Sequence, residues 1–230
     1  NPYQPPYFRL MERLNLSGGD PAPRVMCPRR LSLAELGALE VDHLVDIREP
    51  LAYAAGHLPG AMNLPVGMIS AFAGWFIREG ESLALVGSDE DQLAAAMTHL
   101  VRIALDNVVG GYVGVVPAAA QGRDMAMIPM IATDEVASRL ESRPAGWTLL
   151  DVRDADERSA SAIDGSQHIY VGELNERYRD LDPATHYTLM CASGMRATVA
   201  AGWLASRGFA KLDVYLGSMG AWNAAGAAPA

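Results

Sequence analysis

The same short string occurs twice in this chain, an apolar run that ends in aspartate, any residue, arginine. It reads Leu44-Val45-Asp46-Ile47-Arg48 in the first half and Leu149-Leu150-Asp151-Val152-Arg153 in the second, with the two aspartates 105 positions apart. The flanking pattern repeats at nearly that offset. Leu83 to Val86 matches Thr188 to Cys191, the alanine-rich stretch Leu93 to Ile103 matches Thr198 to Gly208, and Asn107-Val108-Val109 loosely matches Asp213-Val214-Tyr215. Whatever one copy folds into, the other must fold into as well.

Each copy alternates short apolar strands with helical stretches. Ser32-Leu33-Ala34-Glu35 has the form of a capping box and predicts a short helix ahead of the first strand. Thr133 and Asp134 offer N-caps for the corresponding helix, which runs to about Glu141. Strands of this kind between helices imply a mainly parallel sheet covered by helices on both faces. The fold class is therefore α/β, with two domains of a usual size. Residues 15–30 and 115–132 are rich in Gly, Pro, Ala or Arg with little periodicity and read as linkers. The expected division is an N-terminal segment and linker at 1–30, a domain at 31–116, a linker at 117–130 and a second domain at 131–226.

The net charge of −9 argues against nucleic acid or an anionic membrane as partner, since both favour basic surfaces. No apolar run approaches ~18 residues, so no membrane span is expected, and no signal peptide is legible. The chain begins Asn1-Pro2 without methionine, which suggests a piece of a longer protein. Two cysteines, Cys27 and Cys191, make no disulfide framework, and a cytoplasmic location is expected. The five histidines show no metal-ligand spacing and no HxHxD or HExxH string, so neither metal nor cofactor is expected within this chain.

Cys191 opens Cys191-Ala192-Ser193-Gly194-Met195-Arg196. An apolar, β-prone run precedes it and a helix, Ala197 to Arg207, follows. The thiol thus falls at a strand-to-helix turn, where free backbone N–H groups and the helix dipole favour an anion. The thiolate is the reactive form. A lone cysteine beside an apolar strand is otherwise a small buried hydrophobe; the Gly-x-Arg that follows turns the reading toward catalysis. Cys27, in Met26-Cys27-Pro28-Arg29, reads as incidental, with a resolving role as its alternative. Asp151 and Arg153 read as a structural strand-end pair, with Arg153 the nearer of the two to substrate. His57 reads as a hydrogen-bonded turn residue, Trp203 and Trp222 as core.

The strings Asp46-Ile47-Arg48-Glu49-Pro50 and Gly56-His57-Leu58-Pro59-Gly60-Ala61-Met62-Asn63 resemble the D-x-R-E and GH-I/L-PGA-x-N signatures of rhodanese domains. Asp151-Val152-Arg153, the loop from Cys191 to Arg196, and Gly217-Ser218-Met219-Gly220-Ala221-Trp222 resemble the same family. The resemblance covers about residues 31–226 and implies a tandem of rhodanese-like domains. The second copy has Ser161-Ala162-Ile163-Asp164-Gly165-Ser166 in place of GH-I-PGA, so altered turn geometry is expected there. The first copy has Val86-Gly87-Ser88-Asp89-Glu90-Asp91 where the active loop should be, with neither cysteine nor arginine. It resembles an inactive rhodanese domain, and its carboxylates would repel an anionic donor. The N-terminal string from Asn1 to Leu16 is similar to the tail of the metallo-β-lactamase-fold domain in persulfide dioxygenase–rhodanese fusions. An iron site would lie only in such an upstream domain.

The resemblance implies sulfurtransferase activity, with sulfane sulfur carried from thiosulfate or a small persulfide, as a Cys191 persulfide, to a thiol or cyanide. Cys191 would be the catalytic nucleophile. The N–H groups of Ala192, Ser193, Gly194, Met195 and Arg196, with the Arg196 cation, would bind the sulfur. The partners implied are small sulfur donors and thiol acceptors, with a fused or docked persulfide dioxygenase domain. The C-x4-R spacing is one residue shorter than the C-x5-R of Cdc25-type phosphatases and suits a single sulfur, which disfavours phosphatase or arsenate reductase chemistry. A non-catalytic regulatory or scaffold module is the alternative, motivated by the acidic loop from Gly87 to Asp91.

Overall fold

The computed structural model describes residues 4–17 and 27–226. The chain forms two compact units, Asn1–Ala126 and Met127–Ala230. In the first, helix α1 (Tyr7–Ser17) is followed by α2 (Leu33–Ala38), β1 (His43–Asp46), α3 (Pro50–Ala55), β2 (Met62–Asn63), α4 (Ile69–Phe76), β3 (Leu83–Gly87), α5 (Glu90–Arg102), β4 (Val108–Val113) and α6 (Val115–Ala120). The second runs β5 (Met130–Ile131), α7 (Thr133–Ser142), β6 (Trp147–Asp151), α8 (Ala155–Ala160), β7 (Gln167–His168), α9 (Leu174–Arg177), β8 (His186–Met190), α10 (Met195–Ser206), β9 (Leu212–Tyr215) and α11 (Ser218–Ala224).

Both sheets are parallel and flanked by helices, with strand orders β2-β1-β3-β4 and β5-β9-β8-β6-β7. Every residue of β3 is buried, as a central parallel strand covered on both faces requires. The capping box forms as the sequence predicts. The Glu35 N–H donates to Ser32 Oγ (3.2 Å) and the Ser32 N–H to Glu35 Oε2 (2.8 Å). The helix after β8 is buried without a break from Ala197 to Leu204. Its small residues let it lie close to β8 and β9, and Trp203 sits fully inside. Trp222 is buried among Val136, Leu149, Met190 and Tyr215.

Three local expectations are corrected. Residues 115–132 are not a bare linker, because α6 forms there and β5 extends the second sheet by pairing with β9. Residues 29 and 30 likewise leave the expected linker and, with Leu31, pair beside β4: Gly111 N–H donates to Arg29 O and Leu31 N–H to Gly111 O, at 2.9 and 2.8 Å. Gly110 is what lets Leu31 approach, since a Cβ there would come within 2.7–2.9 Å of the leucine side chain. Residues 15–17 of the expected linker 15–30 belong instead to α1, and 18–26 lie outside the described residues. Third, neither Thr133 nor Asp134 caps α7. Ala132 takes the cap position without a side-chain bond, and Thr133 Oγ1 meets the Tyr215 hydroxyl at 2.8 Å instead.

The turn in the second copy is not altered either. Arg48 Nη2 donates to Gly56 O at 2.7 Å, and Arg153 Nη2 donates to Ser161 O at 2.7 Å. The turns close alike, Ala61 N–H on Leu58 O and Ser166 N–H on Ile163 O, both at 3.1 Å. Gly60 and Gly165 hold the same left-handed backbone, φ +84° and +81°. Different side chains then do one job. The Tyr53 hydroxyl donates to Ala61 O at 2.7 Å, whereas Arg158 Nη2 donates to Ser166 O at 2.8 Å. The backbone plan survives because its two determinants, the arginine fork and the left-handed glycine, are kept in both copies.

Candidate functional site

The second unit brings the Cys191 loop to the C-terminal end of β8, its central strand. Gly194 allows the chain to reverse there: it takes φ +100° as the residue before α10, a backbone that other L residues adopt only under strain. The Gly194 N–H donates to Cys191 Sγ at 3.1 Å. The thiol therefore lies at the N-terminus of a 12-residue helix with a backbone donor already on its sulfur. Thr198 ties the turn down from inside, its Oγ1 donating to Gly194 O at 3.0 Å.

The other side of the loop is held by the Gly217–Trp222 segment. The Cys191 N–H donates to Ser218 Oγ at 3.0 Å, and that hydroxyl donates on to Tyr215 O at 2.9 Å. The Met219 and Gly220 N–H groups donate to Cys191 O and Ala192 O, at 3.0 and 2.9 Å. The first turn of α11 is thus satisfied by the carbonyls of the cysteine loop. Cys191 is almost wholly enclosed, with 1% of its surface exposed, while Ser193 and Met195 face outward.

Arg196 does not stand free beside the sulfur. Its Nη1 and Nη2 form a fork on Glu157, at 2.5 Å to Oε2 and 2.7 Å to Oε1. Glu157 closes a capping box at the start of α8, donating its N–H to Asp154 Oδ1 at 2.8 Å and accepting the Asp154 N–H at 3.3 Å. Arg196 above all, then the Asp154 groups, holds the Glu157 carboxyl down at about 2 against the opposing effect of burial. Glu157 in turn raises the Arg196 guanidinium above its usual value, with the nearby Cys191 adding to the effect. Glu157 was within reach of sequence reasoning through the Asp154-x-x-Glu157 capping pattern. Its pairing with Arg196 across 39 positions was not.

Asp151 and Arg153 lie under the loop as a buried pair, Nη2 to Oδ2 at 2.6 Å and Nε to Oδ1 at 3.0 Å. Asp46 and Arg48 repeat this in the first unit. There, Gly87 stands at the position of Cys191, since the Ile47 N–H lies on Val86 O as the Val152 N–H lies on Met190 O, and Asp89 takes the helix-cap place of Gly194. Asp89 caps α5, accepting the Gln92 N–H at 2.7 Å, and the Ser88 N–H is taken by Gln92 Oε1 at 2.8 Å. Cys27 is exposed beside this loop, with its Sγ donating to Glu90 O at 3.7 Å. Burial first, then the Glu90 and Asp91 carboxylates, push its thiol up, with Arg30 acting the other way. His57 is buried in the turn, stacked on Tyr53 at 3.8 Å with Nδ1 3.0 Å from Tyr53 O, and burial pulls its pKa down. Among the described residues no group of three or more His, Cys, Asp or Glu is arranged to hold a metal ion, and no helix is long and apolar enough to cross a membrane.

This geometry has relatives. The chain is 35% identical over 96 residues to "Putative sulfurtransferase YtwF" of Bacillus subtilis, a match that covers 42% of this chain and 91% of the relative. It is 30% identical over 96 residues to "Putative sulfur carrier protein YrkF" of the same organism, covering 42% of this chain and 51% of that protein. Among solved structures, a thiosulfate sulfurtransferase from Pseudomonas aeruginosa aligns with 86% of this chain and 40% of its own, at 23% identity and a TM-score of 0.39. A rhodanese-related protein from Thermoplasma volcanium aligns with 43% of this chain and 93% of its own, at 26% identity and the same TM-score. The rhodanese-like domain model matches twice, over residues 32–116 and 132–225, and with both copies so matched the chain belongs to the rhodanese-like domain family.

Proposed function

We propose that the chain is a sulfurtransferase in which the second unit carries sulfane sulfur on Cys191. The Cys191 thiolate attacks the outer sulfur of thiosulfate, the S–S bond of the donor breaks, and sulfite leaves with the bonding electron pair. A persulfide remains on Cys191. A thiol acceptor, as thiolate, or cyanide then attacks the outer sulfur and releases the Cys191 thiolate. A small persulfide donor loads the site in the same way, with its thiolate leaving in place of sulfite. The observation that carries this reading is the Gly194 N–H on Cys191 Sγ at the start of α10. A preorganised donor and a helix N-terminus stabilise sulfur anions before any substrate arrives.

In this reading Ala192, Ser193, Met195 and Arg196 form the rest of the loop around the donor, and no cofactor takes part. The matching loop of the first unit contributes no nucleophile, since Gly87 stands in place of the cysteine and Asp89 in place of the turn glycine. The test is turnover of the full chain with thiosulfate and cyanide, and with glutathione persulfide and a thiol. Activity present in the wild type and absent in Cys191→Ser is the expected result. Wild-type protein inert with every donor would refute the proposal and leave a regulatory or scaffold module as the reading.

The tandem further fits the C-terminal part of a fusion with a metallo-β-lactamase-fold persulfide dioxygenase. What supports this is the N-terminal string up to Leu16, whose Tyr7–Ser17 stretch is helical. The reading frame upstream of Asn1 tests it, an HxHxDH string being the expected finding.

A further inference from the structure

Arg196 is the single cation in the loop from Cys191 to Arg196, yet it is committed to another partner. Both of its terminal nitrogens lie on Glu157, and the pair is partly shielded, with 19% and 32% of the two side chains exposed. Asp154 adds a second carboxylate at the same capping box. The neighbouring arginines are occupied elsewhere. Arg153 holds Asp151, and Arg158 spans Asp151 and Ser166. The positive charge nearest the sulfur is therefore offset by the Glu157 carboxylate. What remains for an anion is the loop N–H groups, with that of Gly194 already on the sulfur, and the α10 dipole, worth about half an elementary charge.

We propose that Glu157 is a specificity-determining residue that sets the charge of the sulfur donor by neutralising Arg196, so that singly charged sulfane donors are favoured over the thiosulfate dianion. The inference rests on the sulfurtransferase reading above. A donor with one negative charge is balanced by the backbone donors and the dipole. The second charge of thiosulfate meets a neutral pair and an extra carboxylate, and is left uncompensated. Loading from a thiosulfonate is otherwise the same chemistry as from thiosulfate. The Cys191 thiolate takes the outer sulfur, the S–S bond breaks, and a sulfinate leaves in place of sulfite.

The experiment compares kcat/KM of the full chain for thiosulfate and for methanethiosulfonate, a monoanion, in the wild type and in Glu157→Gln. Glutamine at this position keeps the capping box, so the substitution removes the charge and spares the helix start. Freed of its carboxylate, Arg196 should raise the thiosulfate-to-methanethiosulfonate ratio by roughly fivefold or more, the scale of one partly screened charge at close range. A ratio within about twofold of the wild type would overturn the proposal. The wild type gives a second reading that needs no variant. Added salt should raise its ratio, because the dianion is opposed by the site and screening relieves that. A ratio that falls with salt would mean net attraction and would also overturn it. If the wild type moves sulfur from neither donor, the sulfurtransferase reading itself has failed, and this inference with it.

Discussion

Ser218 holds the backbone of Cys191: its hydroxyl accepts the Cys191 N–H at 3.0 Å while donating to Tyr215 O at 2.9 Å. It does so from a strained position, fully buried at φ +49°. Strain and hydrogen bond act against each other, and substitutions separate them. Ser218→Ala keeps the strain and strands a buried N–H, an expected loss of about 1–3 kcal/mol. Ser218→Gly also strands the N–H but relieves roughly 1–2 kcal/mol of backbone strain. Denaturant unfolding should therefore rank wild type, glycine, alanine in falling stability. The rate of sulfur loading should fall in both variants, since both release the cysteine backbone.

The Glu157–Arg196 pair predicts an acid-sensitive share of stability. The Glu157 carboxyl is lowered in the folded state to about 2 from an ordinary 4.5. A depressed carboxyl stabilises the fold above its unfolded pKa, and that share is lost as pH falls through the window between the two values. The melting temperature of the wild type should exceed that of Glu157→Gln near neutral pH, and the gap should close between about pH 4.5 and 2. A gap that persists at pH 2 would contradict the assignment.

Restoring the cysteine alone should not revive the first unit. Gly87 is buried, a Cβ there would lie 3.3 Å from Gln92 Oε1 and from the Leu93 side chain, and the N–H groups of Ser88 and Gln92, which could otherwise face a sulfur anion, are already bonded to Gln92 Oε1 and Asp89 Oδ1. Gly87→Cys in a Cys191→Ser background should show no sulfur transfer from thiosulfate or glutathione persulfide. Recovery to within about tenfold of the wild-type rate would show that the acidic loop is no barrier.

At the opposite end of the second sheet, Asp213 gathers Arg139 Nη1 at 2.7 Å, His186 Nε2 at 2.8 Å and Thr188 Oγ1 at 2.5 Å. The Thr188 hydroxyl also accepts the Trp147 indole N–H at 2.8 Å. Asp213→Ala leaves a partly buried arginine and a buried hydroxyl without their acceptor. It should cost about 2–4 kcal/mol of unfolding free energy, below the full buried-pair value because Arg139 keeps Glu135. A cost under about 0.5 kcal/mol would mean the network is replaceable by water.

The architecture was legible because its signals are local. The repeat of Asp46-x-Arg48 in Asp151-x-Arg153, the Ser32–Glu35 capping box and the apolar strands from Leu83 and from Tyr187 each declare themselves within a few residues. The site was legible as a loop, with Cys191 at a strand end and Gly194 at the turn. What escaped were contacts across the chain. Nothing near Arg196 in sequence announces Glu157, and nothing near Cys191 announces Ser218. The turn at Ser161 misled for a related reason. Its side chains differ from those at Gly56, but the geometry is set by Arg153 and Gly165, which are retained. Thr133 misled because a better partner, the Tyr215 hydroxyl, lies 82 positions away.

The central claim is that Cys191 carries the transferred sulfur, and intact-mass spectrometry tests it most directly. Full chain incubated with thiosulfate or glutathione persulfide and then desalted should gain one sulfur, about 32 Da, with the adduct on the peptide that contains Cys191. Cys27→Ser should gain the same mass and Cys191→Ser none. An adduct that survives in Cys191→Ser, or wild-type protein that gains no sulfur from either donor, would contradict the account.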